Sequence, residues 1–172
     1  THILPLGLDH ILFVLGLYLL SAHIRPLLIQ VTSFTVAHSV TLGLGLYGVV
    51  TVSPSIVEPL IAVSIVFVAV ENFITERLTP WRPYFVFGFG LIHGLGFAGV
   101  LHEIGLGRDD FVNGLIAFNV GVELGQLAVI AIAFLATGLW FRDRPFYRNR
   151  IVRPASVVIG LVGAYWLVER LL

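Results

Sequence analysis

Five residues are conspicuous by type and place. His10, His38 and His93, with Asp9 and Glu123, each lie in a run of residues otherwise suited to hydrocarbon. Ionisable groups are costly there, so each is a functional-site hypothesis. Imidazoles grouped with carboxylates are the ligand set of a borderline divalent cation. Nickel, cobalt, zinc, iron and manganese suit such a set; copper(I) would call for Cys or Met, and the chain has neither. Asn119, Glu123 and Gln126 follow one another at i, i+4 and i+7, and Thr35, His38 and Thr41 at i, i+3 and i+6. Each set forms a stripe on one helix face, and both stripes must turn inward because lipid offers no partner. A single membrane histidine is commonly an interhelical hydrogen-bond donor. Three histidines and two acids at similar depth point instead to a metal or proton-coupled site.

The elements that must position these groups follow from composition. The 172 residues are 58% hydrophobic and only 12% charged, with mean hydropathy +0.98. Soluble domains carry about 25% charged residues, so a water-exposed globule is excluded. Runs at about 3–22, 27–50, 56–76, 84–103, 111–140 and 151–171 each have the ~20 apolar residues needed to cross a bilayer. The fold class is therefore an all-α polytopic bundle, one transmembrane domain over 1–172 with six membrane helices. Pro5, Pro26, Pro54, Pro59, Pro80, Pro83, Pro145 and Pro154 fall at proposed helix ends or first turns, where a missing N–H costs little. At about 1.5 Å per residue, His38, His93 and Glu123 reach mid-membrane, with Asp9 and His10 about a third of the way in. Asn119 lies one turn outward of Glu123. Glu71 and Asn72 lie near the opposite end, where Glu71 suits a helix-packing anchor or an exit gate. His2, His23 and His102 sit at interfaces and read as solvated, His2 or His102 alternatively as a first ligand. Glu58, Glu76, Glu103, Asp109, Asp110 and Glu169 read as ordinary helix-end charges.

Arginine sets the expected orientation. Arg25, Arg77, Arg82, Arg142, Arg144, Arg148, Arg150 and Arg153 fall on connections 1–2, 3–4 and 5–6, against Arg108 and Arg170 on the other side. That places both termini outside and the arginine-rich connections in the cytoplasm. The Arg142–Arg153 connection also suits a cytoplasmic partner or lipid contact. Net charge is zero and there is no Lys, so nucleic-acid binding has no electrostatic basis. Without Cys, no disulfide or thiolate site exists. Thr1 in a chain without Met leads us to expect an upstream segment. Phe34-Thr35-Val36-Ala37-His38 resembles Phe118-Asn119-Val120-Gly121, and His10 and His93 have nearly the same offset, which suggests a 3+3 inverted repeat. Residues 94–99 satisfy G-x-G-x-x-G, but no strand precedes them, so no dinucleotide site is read. Gly90 and Gly94 form a small-xxx-small pair for close helix packing, or alternatively a weak point at which the helix breaks.

Read together, these segments resemble the HupE/UreJ family of hydrogenase and urease accessory membrane proteins. Gly7-Leu8-Asp9-His10-Ile11-Leu12-Phe13 is similar to its G-x-D-H-x-L-F opening, and Phe34-Thr35-Val36-Ala37-His38-Ser39-Val40-Thr41-Leu42 to its F-T-x-A-H-S-x-T-L segment. Val70-Glu71-Asn72, His93-Gly94-Leu95-Gly96-Phe97-Ala98 and Phe118-Asn119-Val120-Gly121-Val122-Glu123-Leu124-Gly125-Gln126-Leu127 resemble later segments. The resemblance implies transition-metal handling, described for the family as nickel or cobalt uptake, with Asp9, His10, His38, Glu71, His93, Asn119 and Glu123 as pathway residues. The H-x4-D-H signature of nickel/cobalt permeases is absent.

The leading expectation is a transporter or channel for a divalent transition metal. The ion would pass Asp9 and His10, be held by His38, His93 and Glu123, and leave past Glu71 and Asn72. Two alternatives stay open. Three histidines and an acid also suit a catalytic zinc site with one open position, making the chain an intramembrane metalloenzyme. A non-transporting assembly factor for a metalloenzyme is the other.

Overall fold

The computed structural model describes residues 5–20, 23–104 and 111–172, with side chains for all of these except 5, 6, 99–104, 111 and 112. His2, Arg108, Asp109 and Asp110, and the side chains of His102 and Glu103, lie outside what is described. The described residues are helical, with no strand. The six helices are α1 (Pro5–Leu20), α2 (Ile24–Leu46), α3 (Pro54–Ile74), α4 (Arg82–Ile104), α5 (Phe111–Ala133) and α6 (Arg153–Leu171). Helix α5 runs on through a π turn, Phe134–Gly138, to Leu139–Phe141, and a second π turn, Arg148–Val152, leads into α6.

Local sequence explains where these elements depart from the apolar runs. Helix α2 ends four residues short of its run because Gly48 takes φ +70°, which ends the helix in a turn. Helix α3 begins at Pro54, so Pro59 is its sixth residue rather than part of its first turn. Pro154 likewise lies inside a continuous helical segment, Arg148–Leu171. A proline ring clashes with the carbonyl four residues back. The π turn before it relieves that crowding: Arg153 N–H reaches Arg148 O, five residues back.

The surface decides the environment. Long apolar side chains face outward along α5 (Ile116, Val120, Leu124, Ile132, Leu135) and α6 (Val158, Leu161, Tyr165, Val168). Asp9, His38, Asn72, Arg82 and His93 are buried. Polar inside and apolar outside is the arrangement hydrocarbon demands. The segments Ile24–Leu46, Pro54–Ile74, Asn113–Phe141 and Arg148–Leu171 are long and apolar enough to span a bilayer, and Gly7–Leu20 is a shorter apolar helix.

Helix α1 lies inside the bundle, burying Phe13, Val14, Leu17 and Tyr18. The most extensive packing is α2 on α4, followed by α3 on α6. Glycine makes the first contact so close. A Cβ at Gly90 would fall 2.6 Å from Phe34 O and 2.9 Å from Ala37 Cβ, and one at Gly94 would collide with His38 O and Thr41 Oγ1. Thr41 Oγ1 uses that proximity to donate to Leu91 O across the pair at 2.8 Å. Helix α4 is unbroken through both glycines, so they serve packing rather than a helix break. Gly94→Ala should lower stability by about 1–3 kcal/mol, because backbone atoms cannot yield as a side chain can. A lower thermal midpoint in detergent would register the loss; an unchanged midpoint would deny the close approach.

Candidate functional site

Three helices bring three imidazoles together at the centre of the bundle. The His10 ring (α1) lies 5.4 Å from that of His38 (α2) and 4.9 Å from that of His93 (α4), edge-on to both at 84°. Phe13, Phe34, Phe97 and Phe118 wall the group: Phe34 and Phe118 stack near-parallel on His38, Phe13 and Phe34 meet His93, and Phe97 meets His10. His38 and His93 are fully buried.

Neighbouring hydrogen bonds set the tautomers of two rings. Ser64 Oγ donates its proton to Ile61 O at 2.7 Å, so at 2.9 Å from His93 Nε2 it accepts. Nε2 then carries the hydrogen, and Nδ1 keeps its lone pair. Asn119 Nδ2 donates to Leu115 O, which turns Oδ1 toward α2. Oδ1 takes hydrogen bonds from Ser39 Oγ at 2.8 Å and His38 Nδ1 at 3.3 Å. A carbonyl oxygen only accepts, so His38 Nδ1 is protonated and Nε2 holds the lone pair. His38 Nε2 and His93 Nδ1 are both buried and have no hydrogen-bond partner. Buried nitrogens are rarely left so; each of these is an unprotonated electron-pair donor.

At each end of the histidine group a carboxylate is held by a buried arginine. At the end where α1 begins and α6 finishes, Arg170 Nη2 donates to both oxygens of Asp9, at 2.8 and 3.2 Å. Arg170 also donates to Glu58 O and lies over the Trp166 ring. At the other end, Arg82 Nη1 meets Glu71 Oε2 at 3.1 Å, and Arg82 Nε donates to Gln30 Oε1 at 2.7 Å. Asn72 Nδ2 donates to Gly16 O, and Arg82 Nη2 reaches Asn72 Oδ1 at 3.5 Å, the long limit of a hydrogen bond. This second network joins α1, α2, α3 and α4. The two ion pairs correspond under an exchange of helices 1–3 with 4–6: the start of α1 meets the end of α6, and the start of α4 meets the end of α3. Acid and base are swapped between them. The packing is less even, since α2–α4 far exceeds its counterpart α1–α5.

Not all sequence-derived candidates meet. His10, His38, His93 and Asn119 do. Asp9 and Glu71 are engaged by arginine, Asp9 beside the group in sequence and Glu71 at the far end. Glu123 is half-buried and makes no hydrogen bond or ion pair with a described residue. The reason is helical phase. Asn119 and Gln126 are about 20° apart on α5 and both face α2, where Thr35 donates to Gln126 Oε1 at 3.3 Å; Glu123 is rotated about 40–60° from them. His23 is exposed. Among the described residues no three His, Asp or Glu side chains are placed to hold one ion in common. Ser64, Gln30, Arg82 and Arg170 were not singled out as site residues by sequence; a serine mid-run in α3 was the only signal for the first.

The fold and this interior define a polytopic helical membrane protein with a polar site enclosed between its helices. The chain matches the family model described as HupE / UreJ protein over residues 1–170, and it belongs to that family. Comparisons with curated proteins and with solved structures found no match. Membership implies an accessory or transport-like membrane role in handling nickel or cobalt.

Proposed function

We propose that the protein carries a divalent transition metal, nickel or cobalt first, across a bacterial inner membrane, with both termini outside. The observation that carries this reading is the pair of buried lone pairs on His38 Nε2 and His93 Nδ1, on rings that both touch His10. Imidazole is a preferred ligand of these metals, and the Ser64 and Asn119 contacts are of the kind that orient metal-binding histidines. The three rings converge on the ion by side-chain rotation when it arrives. Glu123, one turn inward of Asn119 and outside any ion pair among the described residues, supplies negative charge. The Asp9–Arg170 and Glu71–Arg82 pairs close the two ends, and each opens in turn to let the ion in past Asp9 and out past Glu71 and Asn72. With the two buried arginines set aside, the orientation rests on Arg25, Arg77, Arg142, Arg144, Arg148, Arg150 and Arg153 against Arg108. A divalent ion moving inward gains roughly 4.6 kcal/mol per 100 mV, twice the single-charge value.

The test is uptake of Ni²⁺, Co²⁺, Zn²⁺ and Mn²⁺ into proteoliposomes under an inward-negative potential, beside protein-free vesicles. Saturable uptake of one or more, reduced when the potential is reversed, is expected. Flux of none above the protein-free rate would overturn the transport reading. One tightly bound metal per chain without flux would move the assignment to an assembly factor or an intramembrane enzyme.

A further inference from the structure

A second site lies away from the histidines, at the arginine-rich end of the bundle. A cavity of about 680 Å³ opens between α1, α2 and α5, walled by Tyr18, Leu27, Leu127, Ile130 and Phe134. Its size is that of a ligand pocket. His23, Arg25 and Arg142 also line it. Arg25 is exposed and has no hydrogen bond or ion pair with a described residue. Among the described residues Arg142 pairs only with its chain neighbour Asp143, at 3.3 Å, and that carboxylate is 83% exposed. Such a surface pair holds little energy, so the cavity keeps a net positive charge beside apolar walls. The π turn at Phe134–Gly138 sets one wall, and the Arg142 guanidinium lies over the Phe134 ring, 5.6 Å from its centre. π turns of this kind recur at functional sites.

The occupant must be amphipathic, with an apolar part for the walls and an anionic group for the two guanidiniums. We propose that this cavity binds one anionic phospholipid, its acyl chain against Leu127 and Ile130 and its phosphate between Arg25 and Arg142. Charge complementarity selects the headgroup: basic pockets between membrane helices favour anionic lipids, each arginine adding about five-fold. The site does not depend on the metal reading, because it shares no residue with the histidine group or with the phenylalanines that wall it.

Native mass spectrometry of the full chain, released from micelles containing equal phosphatidylglycerol and phosphatidylcholine, tests it. Wild type should retain one phosphatidylglycerol, preferred roughly 30-fold. Arg25→Gln with Arg142→Gln should bring the ratio close to one. Arg144→Gln with Arg150→Gln, the same change in charge at residues outside the cavity, should leave it intact. Circular dichroism and elution volume confirm the fold of each variant. Equal retention of both lipids by wild type, or equal loss in both double variants, would overturn the proposal.

Discussion

Arg82→Met should destabilise the bundle by about 3 kcal/mol, because Glu71, its side chain only 13% exposed, would be left without its cation. The guanidinium also satisfies Gln30, which would lose its donor. Arg170→Met should cost a similar amount by stranding Asp9, whose side chain is 1% exposed. Restoration separates this from a packing defect. Removing a buried pair as a pair is often neutral, so Arg82→Met with Glu71→Gln, and Arg170→Met with Asp9→Asn, should each recover most of the loss. Denaturant titration in detergent micelles reads all four. Single variants within about 1 kcal/mol of wild type would mean that water reaches these charges. The restored double variants also separate stapling from gating: under the transport reading, they should fold yet leak or fail to move ions.

His38→Ala and His93→Ala should each abolish high-affinity binding of Ni²⁺ or Zn²⁺ while leaving the helical fold in detergent. Each removes one of the two unshared nitrogens and returns a cavity rather than a charge. Ser64→Ala and Asn119→Ala should weaken binding by about 10–100-fold, the usual cost of losing the partner that orients a metal-binding histidine. The reason lies in the proton. Without the Ser64 oxygen to accept from Nε2, His93 is free to place its hydrogen on Nδ1 and hide the lone pair. Calorimetric titration of purified protein measures both classes. Full affinity in Ser64→Ala together with loss in His93→Ala would reduce Ser64 to a packing residue.

Much of this interior was legible in the sequence, and the parts that were not share a cause. Long apolar runs announced all six helices, because a bilayer leaves little freedom in how a helix is written. Similar depth on separate helices allowed His10, His38 and His93 to meet without requiring it. Depth carries no azimuth, however. Glu123 shared the depth of His38 and His93 and much of the stripe of Asn119, yet sits 40–60° around the helix from the face that meets α2. Arg82 and Arg170 stood in the sequence as membrane-side markers near helix ends. Only the packing of α3 on α4 and of α1 on α6 turned them inward onto Glu71 and Asp9. Ser64 gave only a weak signal because a lone hydroxyl in an apolar helix ordinarily satisfies itself on a carbonyl of the preceding turn. Here it does that, on Ile61, and its oxygen still receives His93.

The Asp9–Arg170 pair spans 161 residues of chain. At the ~5–20 residues per second of synthesis, Asp9 is made roughly ten to thirty seconds before its cation exists. Through that interval the first helix carries a carboxylate into or near the bilayer with nothing to neutralise it but a proton or the interface. Until the end of α6 arrives, the first helix lacks the contact that fixes Asp9. A chain cut short before Arg170 would carry Asp9 without its cation and should be less stable in the membrane than the full chain.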